Sequence, residues 1–226
     1  MIFAVLSLLV AGELQAGVVV GGTRFIFPAD RESISILLTN TSQESWLINS
    51  KLNRPTRWAG GEVSTVPAPL LAAPPLILLK PGTTGTLRLL RTESDILPVD
   101  RETLFELSIA SVPSGKVENQ SVKVAMRSVF KLFWRPEGLP GDPLEAYQQL
   151  RWTRNSQGVQ LTNPTPYYIN LIQVSVNGKA LSNVGVVPPK SQRQTSWCQA
   201  IAPCHVAWRA INDYGGLSAK KEQNLP

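Results

Sequence analysis

His205 is the only histidine in the chain, so a serine- or cysteine-type triad, or a multi-histidine metal site, would have to be built around that one residue. It directly follows Cys204 in a strand-like stretch, where a structural or solvent-facing role is the ordinary one. Gly21-Gly22 and Gly60-Gly61 lack the further glycine and lysine spacings of a phosphate-cradling loop. The carboxylate pairs Asp30 with Glu32 and Asp100 with Glu102 have the composition of a general acid and base. Both pairs stand in turn-like segments among arginines, where ion pairing or plain solvation is commoner. No enzyme signature emerges, and no metal or cofactor is implied. Cys198 and Cys204 lie in one strand-rich stretch, and in an exported chain such a pair forms a disulfide. Closing so short a loop contributes about 2 kcal/mol, enough to pin a local hairpin; two buried free thiols are the alternative.

One element stands out for its length and its regularly spaced cations. From Ser121 to Pro136 the chain reads SVKVAMRSVFKLFWRP, with Val122, Val124, Met126, Phe130, Leu132 and Trp134 on one parity and Lys123, Arg127, Lys131 and Arg135 on the other. Period-2 alternation marks a strand with one apolar face, and this run far exceeds the usual strand of about 5 to 6 residues. Long apolar edge strands aggregate unless protected. One that ends in a basic, aromatic-rich tail points to a protein that uses strand pairing.

The rest of the chain supplies a β framework for that strand. Its 226 residues are 43% hydrophobic and 17% charged, punctuated by 18 Pro and 16 Gly, and no segment sustains helical periodicity for long, so the fold class is all-β. Seven turn-spaced strands are expected up to residue 136, the pattern of an immunoglobulin-like sandwich. The run EGLPGDP, 137 to 143, has linker composition, and a smaller β-rich block follows that finishes in a polar tail. Residues 1–16 hold an apolar run from Ile2 to Val10, then small residues to Ala16. They read as a secretory signal without its usual basic start, or alternatively as a buried first strand. No later run is long enough to span a bilayer as a helix. The formal charge of +6 rises by one when residues 1–16, charged only at Glu13, are removed. The basic residues are scattered and form no nucleic-acid module, so no nucleic-acid partner is expected.

Read together, TRFIFP (23–28), APPLILLKPG (73–82), LPVDRETLFEL (97–107), FKLFWRP (130–136), NPTPYYINL (163–171) and INDYGG (211–216) resemble the PapD-like periplasmic chaperones of the chaperone/usher pathway. The resemblance covers essentially the whole chain after the signal. It implies two immunoglobulin-like sandwiches in an L-shaped arrangement: a signal at 1–16, an N-terminal domain at 17–136 with a donor strand at 121–134, a linker at 137–142 and a C-terminal domain at 143–226. The implied function is to cap pilus subunits by donor-strand complementation and deliver them to an outer-membrane usher. Val122, Val124 and Met126 would fill the subunit's groove. Arg24 and Lys131 would bind its C-terminal carboxylate, while Glu102, Arg135 and Asp213 would form an interdomain ion network. The resemblance leaves room for self-association of the free protein. Lys51 stands after Ser50 where the family often has tryptophan, the cysteine pair precedes INDYG, and the short 113–120 connection fits the short-loop subgroup. The alternative is a structural pilin or adhesin-type domain, from which an N-terminal extension and a single incomplete domain would be expected.

Overall fold

The computed structural model of the chain describes residues 17–56, 58, 60, 66–92, 97–115, 123–199 and 203–226. The expected signal at 1–16, together with Ser121 and Val122, lies outside the described residues.

The first sandwich is built from β1 (Val18–Val20), β2 (Arg24–Pro28), β3 (Ser33–Asn40), β4 (Ser45–Asn53), β5 (Leu70–Ala73), β6 (Leu76–Leu79), β7 (Thr84–Arg91), β8 (Thr103–Ser114) and β9 (Met126–Arg135). One sheet has the order β1-β3-β7-β5 and the other β2-β9-β8-β4-β6. The expected count of seven falls short for two reasons. VVVGGTRFIF is two strands, because the chain changes sheets at Gly21-Gly22: β1 pairs with β3, whereas β2 pairs in parallel with β9. A separate short strand, β5, also precedes the Pro74-Pro75 break. Between the sheets, Phe27, Ile36, Leu38, Ile48, Leu87, Leu89, Phe105, Leu107 and Leu132 form the fully buried center, as two stacked amphipathic sheets require.

The second sandwich contains β10 (Arg151–Asn155), β11 (Gly158–Asn163), β12 (Ile169–Val176), β13 (Lys179–Ala180), β14 (Val186–Val187), β15 (Ser191–Thr195), β16 (Cys204–Ala210) and β17 (Lys221–Leu225). Its sheets run β10-β11-β15 and β13-β12-β16-β17, with β14 also on β12. The tail expected to be merely polar is the edge strand β17. It pairs along β16 and inserts Leu225 into the core, which a sequence with one apolar residue in its last five does not announce. The cysteines are bonded, Cys198 to Cys204, and both join the core that contains Trp152 and Trp208.

Each sandwich has one fully buried asparagine after the sequence Leu-Thr. The Asn40 amide donates to the carbonyls of Glu44, Leu79 and Lys80, and its Oδ1 accepts from Ser42. Asn163 repeats the arrangement with Tyr167, Val187, Pro188 and Thr165. Buried amides so completely satisfied fix turns that would otherwise leave carbonyls unpaired.

Candidate functional site

The element that carries the candidate site is β9. On its even-numbered face, Trp134 and Leu132 lie in the core at 5% and 0% exposure, while Met126 at its start and Val124 just before it are 56% and 62% exposed. Apolar side chains on this face, interrupted by Ser128, therefore run from the core out into solvent. The backbone shows why. β9 pairs with β8 from Met126 to Trp134, but β2 covers its other edge only from Lys131 to Arg135. Among the described residues, no strand covers that edge from Met126 to Phe130. Regular strand also begins later than the sequence suggests, at Met126 and not at 121. Lys123 to Ala125 are outside it because β8 pairs with β9 only as far as the Ser111–Met126 pair and then continues along β4 alone.

Where the covered and open parts of the edge meet, the two expected anchors stand side by side. Arg24 and Lys131 are direct partners in the β2–β9 register. Arg24 is 9% exposed, and its Nη1 donates to the Ile211 carbonyl of the second domain at 3.2 Å. Its buried Nε has no hydrogen-bond partner. Burial lowers the Arg24 pKa, and the charge of Asp213 opposes that shift. Burial and then the like charge of Arg24 push Lys131 down to about 8. Among the described residues neither of these desolvated cations forms a salt bridge, so an incoming anion would relieve both.

Next to this pair the structure brings Glu102, Arg135 and Asp213 together across the domain boundary. Arg135 Nε donates to Glu102 Oε1 at 2.7 Å, and Arg135 Nη1 to Asp213 Oδ2 at 2.7 Å. The second Glu102 oxygen accepts the Tyr168 N–H at 2.7 Å, while the Glu102 N–H donates to the Pro166 carbonyl. Burial raises Glu102 above the usual carboxylate range against the pull of Arg135 and the Tyr168 N–H. Burial works against the charge on Arg135, but Asp213 and Glu102 outweigh it and hold its pKa high.

Several residues at this boundary were not singled out from the sequence. Phe133 packs on Tyr168 with ring centroids 5.6 Å apart, and Arg135 lies 5.3 Å from the Tyr167 ring centroid. Lys190 reaches across the boundary to Asp100 at 2.7 Å. The two tyrosines stand inside the NPTPYYINL segment, so the motif marked the region without the contacts. Lys190 carried no signal beyond a turn. Of the alternative catalytic groups, Asp100 is held by Arg101 and Lys190, and His205 sits on β16 at 3.5 Å from Glu222.

A family model described as pili and flagellar-assembly chaperone, PapD N-terminal domain, matches residues 17–140, and one described as pili assembly chaperone PapD, C-terminal domain, matches residues 145–222. This chain belongs to the PapD family of pilus-assembly chaperones. It is 99% identical over 226 residues to the fimbrial chaperone YcbF of Escherichia coli strain K12, covering 100% of this chain and 96% of that one. The chaperone protein FimC of the same strain is 32% identical, over 95% of this chain and 87% of its own. In a solved complex of Salmonella enterica SafA pilin with the SafB chaperone, the matching chain superposes with a TM-score of 0.79 at 30% identity, over 95% of this chain and 99% of that one. The chaperone is thus a non-enzymatic fimbrial chaperone of two sandwich domains, of a kind that works in the periplasm.

Proposed function

We propose that the chaperone binds an incomplete pilus subunit by lending it the open edge of β9, with Val122, Val124 and Met126 as the donated side chains. The observation that carries this reading is the apolar stripe that leaves the core at Leu132 and surfaces at Met126 and Val124 on an unpaired edge. An extended client strand there would gain main-chain hydrogen bonds while its groove accepts the alternate side chains. At the end of that edge, Arg24 and Lys131 take the client's C-terminal carboxylate. A charge-assisted bond to a fixed point sets the register, since a slip by one residue would turn every side chain to the wrong face.

The Glu102–Arg135–Asp213 network, with Lys190–Asp100 beside it, holds the two sandwiches so that the anchor faces the cleft. Residues 1–16 direct export, residues 137–142 serve as the linker between domains 17–136 and 143–226, and an outer-membrane usher receives the loaded chaperone. In the free protein, a second copy can cover the same edge. The test is periplasmic co-expression with pilins encoded beside the gene and purification by a tag on this chain. A stoichiometric pilin complex that Arg24→Ala and Lys131→Ala abolish is expected. No complex, or one indifferent to both substitutions, overturns the reading.

A further inference from the structure

Lys131 is a half-buried cation beside the buried Arg24, and the described carboxylates nearest to the pair, Glu106 and Asp213, are engaged elsewhere. Glu106 is its direct partner on β8, yet Glu106 Oε1 accepts the Thr56 N–H at 2.7 Å, in the segment that follows β4. Asp213, whose charge reaches Arg24, is bound by Arg135. The group that does lie against the ammonium is the ring of Trp58, with Lys131 Nζ 4.9 Å from its centroid. The face of an indole attracts a cation through its quadrupole, more strongly when both are withdrawn from water.

Anchors on both domains place that ring. On one side, the Thr56–Glu106 bond ties the segment to the first sandwich, and Glu106 is only 4% exposed. On the other, Gly60 adopts φ +74° and lies so close to the second sandwich that an added Cβ would stand 2.4 Å from the Val186 carbonyl oxygen. A side chain there meets both a steric clash and an unfavorable backbone conformation. The same Cβ would stand 2.5 Å from Arg193 Cδ, and Arg193 is itself held by the Val184 and Val186 carbonyls. Trp58 thus sits between a contact with each domain.

We propose that Trp58 is a positioning residue of the carboxylate site, its ring holding and aiming the Lys131 ammonium for the α-carboxylate of the client. This rests on the reading of Arg24 and Lys131 given above. The probe is a synthetic strand-forming peptide of alternating valine and threonine with a free C-terminal carboxylate, compared with its C-terminal amide. Both are titrated against the full chain as wild type, Trp58→Leu, Trp58→Phe and Gly60→Ala. Trp58→Leu is expected to weaken binding of the free acid by about three- to thirtyfold, to leave the amide unchanged, and to shift the pH midpoint of acid binding downward. Trp58→Phe recovers most of the loss. Gly60→Ala, which keeps the ring but moves its anchor, gives a smaller loss of the same kind and serves if the leucine variant folds poorly. Of the charged groups near Lys131, Arg24 acts directly on its charge, Asp213, itself bound by Arg135, acts on Arg24, and Glu106 faces Lys131 across the β8–β9 register.

Acid binding by Trp58→Leu within about twofold of wild type, a change smaller than a buried cation–π contact would produce, with an unchanged pH midpoint overturns the role of Trp58. The carboxylate reading itself falls if the wild type does not prefer the acid to the amide, or if Lys131→Met and Arg24→Ala keep that preference. If those two variants lose the discrimination while Trp58→Leu keeps it, only the Trp58 inference is lost.

Discussion

Arg24 and Lys131 are directly opposed across the parallel pair of β2 and β9, so two like charges are held side by side in a partly desolvated place. An arrangement unfavorable in the free protein favors an anionic ligand. Its energetics lead to predictions in which stability and binding move in opposite directions.

Substitution of Lys131 by Met is expected to raise the stability of the free protein while weakening the client. Removing a half-buried cation relieves both desolvation and repulsion from Arg24, and this outweighs the loss of its contact with the Trp58 ring. Client binding falls, because losing one partner of a buried charged hydrogen bond costs about 2 to 5 kcal/mol. Thermal unfolding and pull-down with a pilin measure the two effects. A lowered melting temperature with intact binding would contradict the prediction.

The pH dependence follows from the same lysine. Its folded-state pKa, about 8, lies below the ordinary 10.5. Between those values the unfolded chain holds a proton that the free folded protein has lost, so this group's contribution to stability rises with pH across the window and is flat below about 8. Carboxylate binding needs the ammonium, and so it is strongest below about 8 and weakens above it, by at most about tenfold per pH unit. Calorimetric titration from neutral to alkaline pH checks the slope, which Lys131→Met should lack.

Along the even-numbered positions of β9 and the residues just before it, substitutions should give opposite results at the two ends. Leu132→Ala opens a cavity in a core position with 0% exposure and is expected to cost about 2 to 5 kcal/mol of stability. Met126→Ser and Val124→Ser alter exposed positions and should change stability by no more than about 0.5 kcal/mol, while greatly reducing pilin capture. Chemical denaturation alongside co-purification separates the two.

At the domain boundary, Glu102→Ala is expected to be more damaging than Asp213→Asn. Glu102 is almost fully buried and serves both Arg135 and the Tyr168 N–H, and breaking a buried pair from one side costs about 3 to 5 kcal/mol. The Asp213 side chain is 25% exposed. Its charge loss should loosen domain orientation more than it melts either sandwich, as read by solution scattering together with calorimetry. Equal destabilization with unchanged interdomain geometry would refute this.

Much of this protein can be read in one dimension. Alternation along SISILLTN, TGTLRLLR and LFELSIASV yields β3, β7 and β8 close to their observed bounds, because period-2 patterning is local and each strand buries one face. The PapD-like motifs point to Arg24, Lys131, Glu102, Arg135 and Asp213 by their neighbors in sequence, and the structure brings these residues to one boundary. Local pattern failed where pairing decides the element. VVVGGTRFIF looks like a single strand, yet its halves bind different sheets, and KEQNL becomes β17 only because the edge of β16 is available to it.

Strand alternation, the all-β class and the charge types of the anchors were thus determined by the sequence alone, since each depends on residues close in the chain. The tertiary structure alone decided which edge of β9 stays open, that Trp58 reaches Lys131, and that Lys190 meets Asp100. These relations join residues far apart in sequence, and they follow from how strands pair and how two sandwiches pack, which no local period encodes.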